Sequence, residues 1–334
     1  MRIHVTYAGG TIGMVDTPQG LAPGADMRGF LDHVIAGTQL TSDQISFTEL
    51  SPLIDSSNAT PENWQQMIDD LRAHRDEADA FVILHGTDTM SFSAAALSYA
   101  LGGFGKPVIL TGSQLPLGLI QSDATANVTG ALNAALSGKA RGVTLFFGHH
   151  LFWGSRVTKS STWAFEAFDS PAVEPAALTG APWYWSPVRH EGCGWENPKP
   201  YARHDVAVVD MVPGITAARV RAALTPLPEA VILRAYGVGD VPSDEPGLTD
   251  VFADVIAQGV PVVVVSQCEQ AYTLVGRYEV GDAIARAGAV GAVDMTFEAA
   301  YAKIVFLLSQ GLRGAELASW IGKPLAGELT ATVE

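Results

Sequence analysis

Apolar positions along this chain fall into two alternating rhythms. Short β-branched runs cover residues 2–8, 80–85, 107–112 and 142–148, and between them lie Ala/Leu-rich stretches of helical period near 62–74, 89–102 and 122–137. Strands of continuous apolar character separated by helices predict parallel strands joined by crossovers, so the expected class is α/β with a doubly wound sheet. Between Pro182 and Pro200 the period fades and Trp, Gly and Pro take over, with Trp183, Trp185, Trp195 and Pro198. This reads as an interdomain linker, placed at 186–204, between a larger N-terminal domain at 1–185 and a smaller C-terminal α/β domain at 205–334. In that second part the alternation resumes, with strands expected at 205–210, 230–235 and 260–266. Its helices are expected near 216–224, 247–258, 281–287 and 298–309. Trp183, Tyr184 and Trp185 are expected to pack the two domains together.

Composition narrows the class. The chain has 334 residues, more than one core usually supports. Its 48% apolar and 16% charged content is enough to bury a core and argues against disorder. A formal net charge of −15 repels phosphate backbones and anionic lipid, so no nucleic-acid or membrane partner is expected. Cys193 and Cys268 are too few and too far apart for a disulfide framework or a thiolate metal site, which fits a reducing compartment. No run resembles a signal peptide's apolar segment or a membrane span, so a cytoplasmic location is expected.

Chemistry in such sheets gathers beyond the carboxyl ends of the strands. The first strand runs into Gly9-Gly10-Thr11-Ile12-Gly13, a tight turn that exposes Thr11. The spacing matches neither G-x-G-x-x-G nor a phosphate loop with its lysine. A second strand ends in His85-Gly86-Thr87-Asp88-Thr89-Met90 beside a helix N-terminus, where an oxyanion is favoured and where an ordinary N-cap is an equally simple reading. Arg156-Val157-Thr158-Lys159 adds a lysine, so hydroxyls, a base and a carboxylate fall within one domain. The chain lacks a G-x-S-x-G elbow. His149, His150, His190, Glu191, Cys193 and His204 match no strong zinc spacing, so neither metal nor other cofactor is expected.

The stretches Gly9–Gly13, Asp55-Ser56-Ser57, His85–Met90, Thr111-Gly112-Ser113-Gln114, Val157-Thr158-Lys159 and Arg234-Ala235-Tyr236-Gly237-Val238-Gly239 together resemble the bacterial L-asparaginases, in particular their cytoplasmic type I branch. That resemblance spans essentially the whole chain. It implies hydrolysis of the side-chain amide of L-asparagine to L-aspartate and ammonia, with Thr11 as the nucleophile of an acyl-enzyme. It also implies a second triad of Thr87, Lys159 and Asp88, in which the lysine accepts a proton only if burial depresses its pKa. Asp88 would also receive the substrate α-ammonium, Ser56 and Ser57 its α-carboxylate, and Asp55 and Ser113 complete the binding set. Backbone amides at Gly10 or beside Thr87 are both open as oxyanion donors.

Two departures stand out. The family's mobile-loop tyrosine aligns with Leu21, and an asparagine after the Tyr-Gly-Val-Gly stretch is here Asp240, which also reads as a turn aspartate. Arg234, Ser266 and Cys268 align with the second, regulatory amino-acid site that some type I relatives carry. The resemblance further implies a homo-oligomer, a dimer or a dimer of dimers. Alternatives are a glutaminase of broader specificity, an ammonia-supplying subunit acting on a larger substrate, and a non-catalytic amino-acid sensor.

Overall fold

β1 (Ile3–Tyr7) is buried at every position and forms the hinge of the topology. The structure is a computed structural model that describes residues 1–18, 20–36, 38, 40–273, 275 and 284–331, with backbone alone at 16 and 21–23. After β1 a 3-10 turn at Thr11–Gly13 leads into an antiparallel hairpin, β2 (Met14–Thr17) and β3 (Gly20–Pro23). Helix α1 (Met27–Ile35), started by Asp26 accepting from Gly29 N, returns the chain to β4 (Ile45–Glu49). Helix α2 (Pro61–Ala73) opens with a Thr60/Asn63 capping box and proline in its first turn. It buries Trp64, Met67, Ile68 and Leu71, the one-face spacing of an amphipathic helix.

β5 (Ala80–Leu84), β6 (Val108–Thr111) and β7 (Val143–Phe147) are the continuous apolar strands read from the sequence. Helices α3 (Met90–Ala100) and α4 (Ala124–Leu136) connect them. α3 is buried on nearly every side, and its small Ala94, Ala95 and Ala96 let it lie close against its neighbours. β8 (His150–Trp153) reverses direction through the turn at Gly148-His149. Lys159 lies on β9 (Thr158–Lys159), paired with β10 (Phe168–Asp169). Two short antiparallel strands, β11 (Ala177–Leu178) and β12 (Tyr184–Trp185), finish the sheet.

The eight strands run in the order β12-β11-β8-β7-β6-β5-β1-β4. β1 lies between β4 and β5, parallel to both, so the chain leaves β1 toward one side and leaves β5 toward the other. That divergence is the topological switch point where α/β sheets bind ligands.

The compact units are residues 1–189 and 190–334. The second carries a four-stranded parallel sheet, β13 (Val206–Asp210), β14 (Ala230–Ala235), β15 (Val262–Ser266) and β16 (Val290–Gly291), in that order. Helices Ala217–Ala223, Leu248–Ala257, Phe297–Gln310 and Gly314–Ile321 accompany it. The helix expected at 281–287 begins outside the described residues. The architecture is thus α/β, with a larger N-terminal doubly wound sheet and a smaller C-terminal α/β unit.

The tryptophan-rich stretch behaves differently from expectation. Trp183 stacks on Phe146 and on Trp185 at 5.8 and 5.9 Å, inside the first unit, because residues 184–185 form that sheet's edge strand. Trp195 packs on Phe306 and Trp320, and the amides of Cys193 and Gly194 donate to Pro324 and Leu325, all within the second unit. Fully buried Lys303 pairs there with equally buried Glu328 at 2.6 Å and donates to the Ile321 and Lys323 carbonyls. Burial pulls the Lys303 amine down, and the Glu328 charge opposes that pull.

Candidate active site

The loops after β1 and β5 meet backbone to backbone at the switch point. Gly10 has φ +97°, and a Cβ there would stand 2.4 Å from Gly86 Cα, so a side chain at either glycine would force the two loops apart. A Cβ on Gly86 would in turn stand 2.4 Å from Ser56 Oγ. Three separate segments, the Thr11 turn, the His85–Thr89 loop and the Ser56–Asn58 turn, are therefore in direct contact. Backbone bonds hold the arrangement: Ala8 N donates to Leu84 O, and Ile54 N donates to Ala8 O.

Thr87 is buried, and its Oγ1 lies 2.9 Å from Lys159 Nζ. The same amine lies 2.7 Å from Asp88 Oδ1, with side-chain exposures of 15% for Lys159 and 59% for Asp88. The lysine is thus withdrawn from water while the carboxylate faces it, free to meet a ligand. Thr89 Oγ1 donates to the Ser56 carbonyl, which ties the loop after β5 to the serine turn. Ser56 is buried and Ser57 exposed, and Asp55 caps their turn by accepting from Ser57 N and Asn58 Nδ2.

Further residues of the His85–Met90 and Thr111–Gln114 stretches, with Asp123 and Asn127, complete the frame. His85 is buried, with Nδ1 at 2.7 Å from the Gly86 carbonyl and Nε2 at 3.0 Å from Ser93 Oγ. Burial lowers its pKa, against the Gly86 carbonyl, so the neutral ring donates from Nδ1 and accepts the serine hydroxyl at Nε2. Gln114 Oε1 lies 3.5 Å from Thr87 Oγ1, and its amide nitrogen donates to Ala164 O. Ser113 Oγ turns inward to Leu115 O. Buried Asp123 accepts from the amides of Gln114 and Leu115 and from Asn127 Nδ2, which fixes that loop. Asp123 and Asn127 lie outside the motif stretches read from the sequence, where a polar residue at a helix start reads as an ordinary cap.

Leu21 pairs through its backbone with Asp16 in the β2–β3 hairpin, and its side chain lies outside the described part. Tyr7 ends β1, and its hydroxyl lies where a Cβ on Gly13 would point. Burial, assisted by the Glu49 charge, pushes that phenol up to about 12, so it is a hydrogen-bonding group and not a base near neutrality.

Asp240, Arg234, Ser266 and Cys268 belong to the second unit. Asp240 closes a tight turn in which Tyr236 N and Asp240 N exchange bonds with each other's carbonyls. At the carboxyl ends of β14 and β15, Arg234 pairs with Asp210 at 3.1 Å and lies 5.2 Å over the Phe297 ring. Its Nε is buried without a partner among the described residues. Ser266 Oγ donates to Gly237 O and accepts from Cys268 N, while Arg234, in register with Val265, keeps to its own partners. The histidines weighed as metal ligands scatter: His149 bonds Thr179 and His204 bonds Glu229. Among the described residues the group within ligand range is His4, Asp70 and His74, on different elements altogether.

Comparison with known proteins agrees with this geometry. The family described as Asparaginase, N-terminal matches residues 2–189, and the Glutaminase/Asparaginase C-terminal domain matches 205–321. L-asparaginase 1 of Escherichia coli (strain K12) is 40% identical over 334 residues, covering 98% of each chain. L-asparaginase I from Vibrio cholerae O1 biovar eltor superposes with a TM-score of 0.87 at 38% identity, over 98% of this chain and 99% of that one. The thermostable L-asparaginase from Thermococcus kodakarensis gives a TM-score of 0.87 at 28% identity, over 99% and 100%. With both domain families matched in order and near-full-length relatives at this identity, the chain belongs to the asparaginase family.

Proposed function

We propose that the chain is an L-asparaginase that hydrolyses the side-chain amide of L-asparagine to L-aspartate and ammonia. The observation that carries this reading is Lys159 Nζ held between Thr87 Oγ1 and Asp88 Oδ1 beside the Thr11 turn. Asp88, the exposed member, takes the substrate α-ammonium, and Ser56 and Ser57 take the α-carboxylate. The side-chain amide then faces the two hydroxyl loops. Thr11 Oγ adds to the carbonyl carbon, and the oxyanion is met by a backbone amide at Gly10 or beside Thr87. Collapse expels the amine as ammonia and leaves the acyl-enzyme. Substrate ammonium at Asp88 draws the carboxylate away from Lys159 and leaves the amine facing Thr87, which orients water for the second addition. Water replaces Thr11 and aspartate departs.

Thr11 has no tyrosine from its own hairpin to take its proton, since Leu21 stands there. Thr87 with Lys159, or a water they hold, performs that step. The same substitution favours one second reading, an amino-acid sensor that binds without turnover. Ammonia release separates the two: wild type releases ammonia from asparagine, and Thr11→Ala lowers the rate about 10³-fold or more. Release by Thr11→Ala at the wild-type rate overturns the nucleophile assignment, and no release by wild type favours the sensor. Parallel assays with glutamine set the amide preference.

Arg234, whose Nε has no partner among the described residues, Ser266 and Cys268 form the regulatory amino-acid site of this reading, and sigmoidal asparagine kinetics that become hyperbolic in Arg234→Met are the expected sign. Asp240, on a loop that in the family reaches a neighbouring subunit's site, serves there as a further ammonium-binding carboxylate. The protein works as a homodimer or dimer of dimers in the cytoplasm and needs no cofactor. No described helix is long and apolar enough to cross a membrane.

A further inference from the structure

At the opposite end of β1 from the Thr11 turn lies a second polar cluster, built from β1, β4 and α2. His4 and Ser46 stand side by side in register on the paired strands, and His4 Nδ1 lies 2.8 Å from Ser46 Oγ. The other ring nitrogen, Nε2, lies 3.1 Å from Asp70 Oδ2, which also accepts from Thr6 Oγ1 at 2.5 Å. His74 lies flat on His4, with centroids 3.9 Å apart and planes 13° apart, and its Nδ1 bonds the Asp70 carbonyl. His4 and Thr6 are wholly buried, while Ser46 is exposed at the open edge of the sheet.

Stacking excludes the first thing such a cluster suggests. Two parallel imidazoles direct their in-plane lone pairs side by side, so His4 and His74 do not converge on one ion in this arrangement. The bonds instead fix the tautomer. Burial raises the Asp70 carboxyl, but the bonds from His4 and Thr6 and the nearby His4 and His74 outweigh it and hold the group below its ordinary range. Ionised Asp70 only accepts, so His4 Nε2 carries a proton toward it, and whenever Nδ1 is unprotonated its lone pair faces the Ser46 hydroxyl. Carboxylate, imidazole and serine thus follow in the order that activates a hydroxyl nucleophile, with the imidazole locked by a buried partner on one side and a stacked ring on its face. A brace between α2 and the sheet is already complete with His4, Thr6 and Asp70.

We propose that Ser46 is a second nucleophile, reactive toward small acyl and phosphonyl electrophiles and independent of the amide-cleaving site. In the phosphonyl case Ser46 Oγ attacks phosphorus, the Oγ–P bond forms, the P–F bond of a fluorophosphonate breaks and fluoride leaves. The hydroxyl proton goes to His4 Nδ1, and Asp70 balances the resulting imidazolium. With an activated ester the oxygen–carbonyl bond forms in the same way, the alcohol leaves, and Ser46 is left acylated.

The test uses the full-length protein, a fluorophosphonate at neutral pH and peptide mapping of the adducts. Ser46 should be phosphonylated about 10²-fold or more faster than exposed Ser51, the modest end of what a positioned general base contributes. Labelling should vanish in Ser46→Ala, which should keep its asparagine hydrolysis unchanged, and should slow in Asp70→Asn and His4→Gln. Adducts confined to Thr11 or Thr87, or a Ser46 rate equal to that of Ser51, overturn the proposal. If the Asp70 or His4 variants do not fold, the Ser46 to Ser51 ratio in the wild type decides alone.

Discussion

Replacing Asp88 with Asn should separate activity from stability by a wide margin. Lys159 Nζ and Asp88 Oδ1 are 2.7 Å apart, and Coulomb's law gives about 1.5 kcal/mol at the dielectric of water and about 6 kcal/mol at an effective value near 20. Asp88 is 59% exposed, so its share in folding sits at the low end, in the range of about 0.2 to 1 kcal/mol measured for exposed pairs. Turnover asks more of it. On the proposed reading the carboxylate makes two charge-assisted contacts, one with Lys159 and one with the substrate ammonium, each costing about 1.5 to 2 kcal/mol to lose. Together they amount to about 3 to 4 kcal/mol, or about 10² to 10³ in kcat/KM. Coupled ammonia assays give that ratio, with the ammonium contact appearing in KM and the lysine contact in kcat. Thermal unfolding should shift by no more than about 2 to 4 °C. A variant within threefold of wild-type kcat/KM, or one that loses activity only in step with folded protein, refutes the assignment.

Three further outcomes follow from other contacts. Gly10→Ala places a Cβ against Gly86 at φ +97°, and should separate the two threonine loops, cutting activity about 10²-fold or more while a fold detectable by circular dichroism survives. Lys303→Met should destabilise the second unit by about 3 to 5 kcal/mol in urea titration because it strands a buried carboxylate, and Lys303→Met with Glu328→Leu should recover most of the loss. His85 has a pKa below its unfolded value, so its contribution to stability is complete above about pH 6.5 and is lost as pH falls toward the folded value. Melting temperatures between pH 7.5 and 5.5 should fall less steeply in His85→Gln than in wild type.

The sequence reading reached the parts of the fold that repeat a simple rule. β1, β5, β6 and β7 are fully buried, largely β-branched or apolar runs, and their boundaries were legible within a residue or two. β4, Ile-Ser-Phe-Thr-Glu, was not, since an edge strand buries only Ile45 fully and otherwise reads as a polar loop. β8, β11 and β12 have two to four residues each, too few for a period to register. In the site, Thr87, Asp88 and Lys159 were legible because two are neighbours in a strand-end loop and the third follows in its own motif. The Ser46–His4–Asp70 line was invisible, because it exists only through the register of two distant strands and the seating of a helix. Lys303 looks like a solvent-facing position in an apolar helix, and only its acceptors, Ile321, Lys323 and Glu328, show why it is buried.

The alignment of Tyr7 with Leu84 across β1 and β5 sets where both hydroxyl-bearing loops leave the sheet. A slip of one residue would carry one loop about 3.3 Å past the other and turn every side chain of the strand to the wrong face. Recovery of asparagine hydrolysis after denaturation therefore requires these two strands to have paired in this one register.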